Sequence, residues 1–461
     1  MKNSSSTSWL ADLSVYKQPR LRNIFLLGIA SGFPWVLIGS ALTAWLQEAG
    51  ETRSTIGLFG VVFTMYSINM LWSPLVDTVR IPWLTQRLGQ RRSWLVVCQL
   101  IIAAACFCLG SVDVTQQLWS VALLALIIAI ASATQDIAID AYRIESFSEH
   151  EARLQSAGAA MATAGWWTGY SGLGAIPFFI VGDSQWQWQD AYQVLAALTL
   201  LFVIRTLQMK EPLATQVRAH LVPPSTTNKA AWRAILINLV HWLKNHIYAP
   251  VAEFFQRSGW KVALSLLLFI LLFKIGEAFL GKMSIVFYKE VGFSNEQIGF
   301  YSKLVTWWIT IVFSILGSLV NLRAGIVKGL FIGGLAMAAS NLLFAWIAVI
   351  GPKEYAYAIA VLIDGFTSAW STVAFVAFIS LLCNRAFTAT QYALLASLGN
   401  LGRTLLSSYS GFVIDGLGGD WTLFFIITAL MVLPSLLLLF CIRKTLYALE
   451  QAHYQKSQYD G

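Results

Sequence analysis

The sequence predicts an all-α polytopic membrane protein with twelve transmembrane helices. The 461 residues are 57% hydrophobic and only 12% charged, half the charge content of about 25% typical of soluble domains. Mean hydropathy is +0.65. The apolar residues fall in long runs with few charges, and about 20 such residues cross a bilayer as a helix. The basic residues gather in the polar gaps between runs, which accounts for the net charge of +8 without invoking nucleic acid.

The runs, in order, are Ile24–Leu46, Ile56–Val76, Trp94–Ser111, Leu118–Tyr142, Leu154–Val181 and Ala191–Leu207, then Val262–Phe287, Ile298–Val320, Ile326–Ile350, Tyr355–Leu382, Ala389–Ile414 and Leu423–Ile442. The fifth is rich in small residues, and Gly158, Gly165, Gly169, Gly172 and Gly174 read as a close-packing face. The polar start of the chain precedes an apolar run too long for a signal-peptide core, so that run reads as a retained first span. The five cysteines give neither a disulfide framework nor a metal pair and read as small buried apolar residues.

Charge bias sets the orientation. Lys17, Arg20 and Arg22 precede span 1, while Arg80, Arg87, Arg91 and Arg92 follow span 2. The gap after span 6 is rich in Lys and Arg, and Arg443 and Lys444 follow span 12. The opposite short gaps carry only Arg53, Lys289 and Lys353. The positive-inside rule therefore puts both termini and the long middle gap in the cytoplasm. The expected division is a segment 1–22, a six-helix bundle 23–207, a linker 208–261, a second six-helix bundle 262–442 and a tail 443–461. Pro212, Pro223 and Pro224 mark the linker, and apolar residues at helical spacing in Ala231–Leu243 predict an amphipathic helix on the inner surface.

The ionisable residues inside these spans are the functional candidates. A charge at mid-helix costs roughly 2.5–3.5 kcal/mol on insertion scales, so each needs a reason. Span 4 carries Asp136 and Asp140, four residues apart and so on one face, with Gln135 beside them and Arg143 and Glu145 following. Proton or substrate handling is one reading; interfacial acids that neutralise nearby arginines is the other. Span 7 carries Lys274, Glu277 and Lys282, span 8 Lys303, span 10 Asp364 and span 11 Arg403. Lys274 and Glu277 are three apart and can pair with each other. Lys303 and Arg403 have no acid within a turn and suit an anionic substrate group or an acid on another helix. Asp364 lies near mid-depth and is placed to carry a proton. Trp370 in span 10 is deeper than an interfacial belt needs; sugar stacking and simple packing are both open to it. No phosphate-cradling glycine loop, metal-spaced histidines or soluble catalytic domain is present, so the sequence does not read as an enzyme and calls for no cofactor.

Twelve spans split six and six by a long middle loop resemble the major facilitator superfamily, in which two bundles enclose a central cavity. Leu71–Asp77, Arg80 and Leu88–Trp94 resemble that superfamily's acidic-plus-basic loop, stretched here around Pro82 and Trp83. The resemblance implies a conformational latch of Asp77, Arg80, Arg91 and Arg92, with Glu145 as a partner for one arginine. More closely, Gly28–Leu37, Leu71–Asp77, Ser132–Tyr142, Phe273–Phe279 and Phe375–Arg403 resemble the AmpG family of muropeptide permeases. That resemblance implies proton-driven import, across the bacterial inner membrane, of N-acetylglucosaminyl-1,6-anhydro-N-acetylmuramic acid and its peptides. It implies a monomer in lipid, a role in peptidoglycan recycling and a link to β-lactamase induction. Proton coupling would fall to Asp136, Asp140 and Asp364. Lys274, Glu277, Lys303, Arg403, Gln135 and Trp370 would meet the substrate. Related permeases that import siderophores share the general pattern, and a membrane scaffold that has lost transport is a third reading.

Overall fold

In a bilayer every backbone polar group must be satisfied within the protein, and a helix does this within one segment. The computed structural model describes residues 18–147, 151–182, 185–212, 249–310, 312–313, 325–382 and 388–459, and among them there are helices and no strand. The principal helices are α1 (Pro19–Gly32), α2 (Gln90–Leu109), α3 (Leu118–Glu145), α4 (Ala152–Trp167), α5 (Trp188–Gln208), α6 (Trp260–Leu272), α7 (Ile275–Val291), α8 (Ile326–Ile350), α9 (Glu354–Leu382), α10 (Thr388–Ser407), α11 (Trp421–Leu430) and α12 (Leu433–Tyr459).

Among the described residues, nine helices are long and apolar enough to cross a membrane. The three other expected spans are interrupted or partly outside the description. Span 5 is α4 continued by a π-turn at Thr168–Gly172, a 3-10 turn and the short helix Ile176–Gly182. Span 8 begins with Asn295–Ile298 and the π-turn Gly299–Val305, and residues 314–324 lie outside the described residues. Span 11 is α10 followed by Ser410–Gly416. The amphipathic helix expected at Ala231–Leu243 also lies outside the described residues.

The chain forms two compact units: Met1–Leu42 with Asn69–Thr226, and Thr43–Ile68 with Thr227–Gly461. The end of the first span and the start of the second therefore fall with the second unit. Irregular backbone lies close to both crossings. Val36–Ser40 is a π-turn in which Gly39 has φ −105° and ψ −105°, and Asn69–Leu71 is a 3-10 turn.

Within the first unit, α1 and α4 touch backbone to backbone. A Cβ on Gly32 would lie 2.1 Å from the Trp166 carbonyl oxygen, and one on Gly165 would lie 2.2 Å from that of Phe25. Only glycine permits that approach, the small-residue packing of membrane helices. Within the second unit, Phe269, Phe273, Met337, Phe378 and Leu436 belong to one buried apolar core.

Candidate functional site

The sequence candidates separate into three groups by partner. In the first unit, α3 is fastened to α1 at two consecutive positions. Gln135 Nε2 donates to the Ala30 carbonyl at 2.8 Å, and Ser31 Oγ donates to Asp136 Oδ1 at 2.6 Å. Ala30 and Ser31 belong to the buried run Gly28–Gly32 of α1. Asn69 Nδ2 and Trp72 Nε1 add bonds to the Ala133 carbonyl and the Thr134 hydroxyl. Asp136 has no cation within ion-pair distance among the described residues; its one hydrogen bond there is from Ser31. The Gln135 Oε1 and Ser132 Oγ atoms beside it are buried without a partner among the described residues. Asp140, one turn on, is exposed and pairs with Arg143 at 3.1 Å, so the two acids of the motif stand in different surroundings.

At the polar end of the same unit, Arg91 is 4% exposed and gathers two acids. It reaches Asp77 at 2.6 Å and Glu145 at 2.7 and 3.1 Å. Arg92 instead donates to the carbonyls of Thr206 and Leu207, at 3.1 and 2.5 Å. Arg80 is exposed. Sequence reasoning missed Glu211, whose carboxylate accepts from the backbone amides of Arg91 and Arg92 at 2.7 and 3.1 Å. It thus satisfies donors at the N-terminus of α2 that no side chain of its own caps. Burial pushes the Glu211 carboxyl above its ordinary value, and those two amides pull it back. Gly89 makes room: its φ is +91° and a Cβ there would lie 2.5 Å from Glu211. The stretched segment of the motif holds Trp83 at a left-handed φ of 63°, with the Arg87 guanidinium 4.3 Å from its ring centre.

In the second unit, the chain breaks helix at Phe273 and Lys274, so that Lys274 precedes the first turn of α7. Its ammonium is 2% exposed and pairs with Glu277. It also donates to Ser371 Oγ at 2.7 Å and Thr372 Oγ1 at 2.9 Å. Glu277 in turn accepts from Ser368 Oγ at 2.7 Å. Asp364 accepts from Ser340 Oγ at 2.9 Å. Trp370 is buried against Phe366, ring centres 5.9 Å apart. Lys303 is buried at 2% exposure in the π-turn Gly299–Val305.

Two cations differ from Lys274. Arg403 on α10 is half-buried and makes no hydrogen bond or ion pair among the described residues, although its charge acts on Lys274 and Glu277. Lys282 on α7, which sequence reasoning noted without assigning, is also half-buried and without such a partner among the described residues. A Cβ on Gly60 would lie 2.9 Å from Lys282 Cε and 3.2 Å from Nζ, and 2.9 Å from Ser408 Oγ. Gly60 thus leaves the ammonium its space. At the far end of α7, Arg53 grips Glu290 through two bonds of 2.8 and 2.7 Å and Asp415 at 3.2 Å, while Lys289 pairs with Glu48. The sequence uses Arg53 and Lys289 only for orientation and assigns nothing to their acidic partners Glu48, Glu290 and Asp415.

Comparison with known proteins places this geometry. A family model described as acetyl-coenzyme A transporter 1 matches residues 24–185. The chain is 32% identical over 425 residues to a protein named putative transporter AmpG 4 of Rickettsia conorii (strain ATCC VR-613 / Malish 7), covering 92% of this chain and 97% of that one. It is 31% identical over 435 residues to the anhydromuropeptide permease of Escherichia coli (strain K12), covering 94% and 82%. Among solved structures, a D-xylose-proton symporter superposes with a TM-score of 0.62 over 94% of this chain and 97% of the other, at 14% identity. That likeness gives the fold, which is that of the major facilitator superfamily.

Proposed function

The chain belongs to the AmpG family of transporters, a multi-pass membrane protein rather than an enzyme, and from that premise we propose that it imports muropeptides. The cargo is N-acetylglucosaminyl-1,6-anhydro-N-acetylmuramic acid and its peptides. It moves from periplasm to cytoplasm across the bacterial inner membrane by alternating access, coupled to protons. Both termini are cytoplasmic, as the distribution of Lys and Arg supports, and one chain in its lipid is the working unit.

The observation that carries this reading is the treatment of Asp136. A spanning-helix carboxyl held by one hydroxyl, with no cation fixing its charge among the described residues, is free to exchange a proton. Asp140 and Asp364 are the supporting acids of the pathway. Arg403, Lys303 and Lys282 are the cations proposed to meet the carboxylates of the peptide. Trp370 and Gln135 would contact the sugars. Asp77, Arg91 and Glu145 form the proposed latch, with Arg80 and Arg92 at its edge.

The test is uptake of labelled anhydro-disaccharide tripeptide into proteoliposomes, with and without an inward proton gradient. The gradient stimulates uptake by the natural protein. Asp136→Asn abolishes that stimulation and leaves substrate exchange intact. A mutant whose uptake still follows the gradient removes Asp136 from coupling. Absence of uptake by folded, inserted protein overturns the substrate assignment.

A further inference from the structure

One cavity lies apart from every group above. In the second unit, the start of α8 and the first half of α12 line a cleft of about 260 Å³. Its lining is largely apolar, with Val327, Phe331, Leu439 and Phe440. Lys328, Arg443 and Tyr447 complete the lining, and among the described residues no acid belongs to it. Phe331, Ile332 and Phe440 are also exposed, so in a membrane the cleft opens toward acyl chains.

The position along the two helices matters as much as the composition. Lys328 is the third residue of α8, and Arg443 is the first charge after the apolar run that opens α12. Both cations therefore sit where a spanning helix meets the headgroup layer. Arg443 stacks on Phe440, 3.5 Å from guanidinium carbon to ring centre. Its Nη1 is shielded from solvent and has no hydrogen-bond partner among the described residues. A buried, unsatisfied guanidinium N–H is costly, and Arg443 lines a cavity whose lining also includes a second cation, Lys328. Lys328 likewise makes no hydrogen bond or ion pair among the described residues.

We propose that this cleft is a seat for one anionic phospholipid, an acyl chain lying along Phe331 and Leu439 and the phosphodiester bridging Arg443 and Lys328. The chemistry is specific on both counts. Apolar walls exclude a free phosphate as the main occupant, and two cations without an acid favour an anionic headgroup over a zwitterionic one.

The test uses the full chain purified in detergent, titrated with mixed micelles containing phosphatidylglycerol or phosphatidylethanolamine and read by native mass spectrometry and thermal unfolding. Phosphatidylglycerol binds more tightly and raises the unfolding temperature. Arg443→Ala and Lys328→Ala each cut that affinity about 5-fold, the ~1 kcal/mol expected of one cation at an anionic headgroup. Arg443→Lys retains most of it. Phe331→Trp fills the cleft while keeping both charges, and it also lowers affinity. Lys328 is exposed, so its variant reads out even where Arg443→Ala impairs folding. Equal binding of the two lipids, or full binding by Phe331→Trp, overturns the assignment.

Discussion

Asp136 in the first unit and the Lys274–Glu277 pair in the second are ionisable groups in spanning helices, yet they are held in opposite ways. Lys274 has an acceptor for each of its three ammonium protons, from Glu277, Ser371 and Thr372. Asp136 has one hydroxyl among the described residues. The saturated pair is fixed: either charge alone would be stranded in a low-dielectric interior. The under-satisfied acid loses little when its charge changes. Carrying charge inside a membrane protein is thus two different tasks, and the number of partners separates them better than the residue type does.

The sharpest way to break this contrast is to remove one half of the pair. Lys274→Met leaves Glu277 buried and unpaired and destabilises the protein by about 3–5 kcal/mol, seen as a large drop in unfolding temperature. The double variant Lys274→Met/Glu277→Leu regains most of that loss while binding substrate. A double variant that folds but binds nothing would instead make the pair part of the substrate site. The next effect is on affinity. Lys282→Met and Arg403→Met each weaken binding of the peptide-bearing muropeptide about 10-fold, or ~1.4 kcal/mol, and leave the peptide-free anhydro-disaccharide unchanged. Titration calorimetry with the two ligands decides it, and equal losses for both remove the carboxylate contact. The smallest effect is at Ser31. Ser31→Ala deletes the hydroxyl that donates to Asp136 and costs about 1 kcal/mol, a roughly 5-fold fall in gradient-driven uptake with unchanged protein yield. A loss as complete as that of Asp136→Asn would give Ser31 a part in proton transfer itself.

The sequence made the long, evenly apolar helices legible because length and hydropathy alone define them. Span 9 was placed at Ile326–Ile350, the bounds of α8, and span 4 differs from α3 only by its polar last turn. The Asp77–Arg91–Glu145 cluster was also legible, since the family motif names Asp77 and Arg91 and the polar end of span 4 offers Glu145 as a partner. Partner number was not. Lys274 and Lys282 look alike in a hydropathy pattern, and the hydroxyls of Ser371 and Thr372 that separate them lie 97 and 98 residues from Lys274 in the chain. Glu211 gave a faint local signal, an acid before Pro212 just past the end of a span. The π-turn at Val36–Ser40 gave none, because its residues are as apolar as those of a regular helix.

The glycine seam between α1 and α4 has a mechanical consequence. Where two backbones touch with no side chains between them, there is nothing to yield and no room to slide. The two helices therefore form a single stiff member, although more than a hundred residues separate them in the chain. Ser31 sits on that member, between Gly28 and Gly32. A displacement started at the carboxyl it grips is passed to both helices together, as through a lever with no play at its joint.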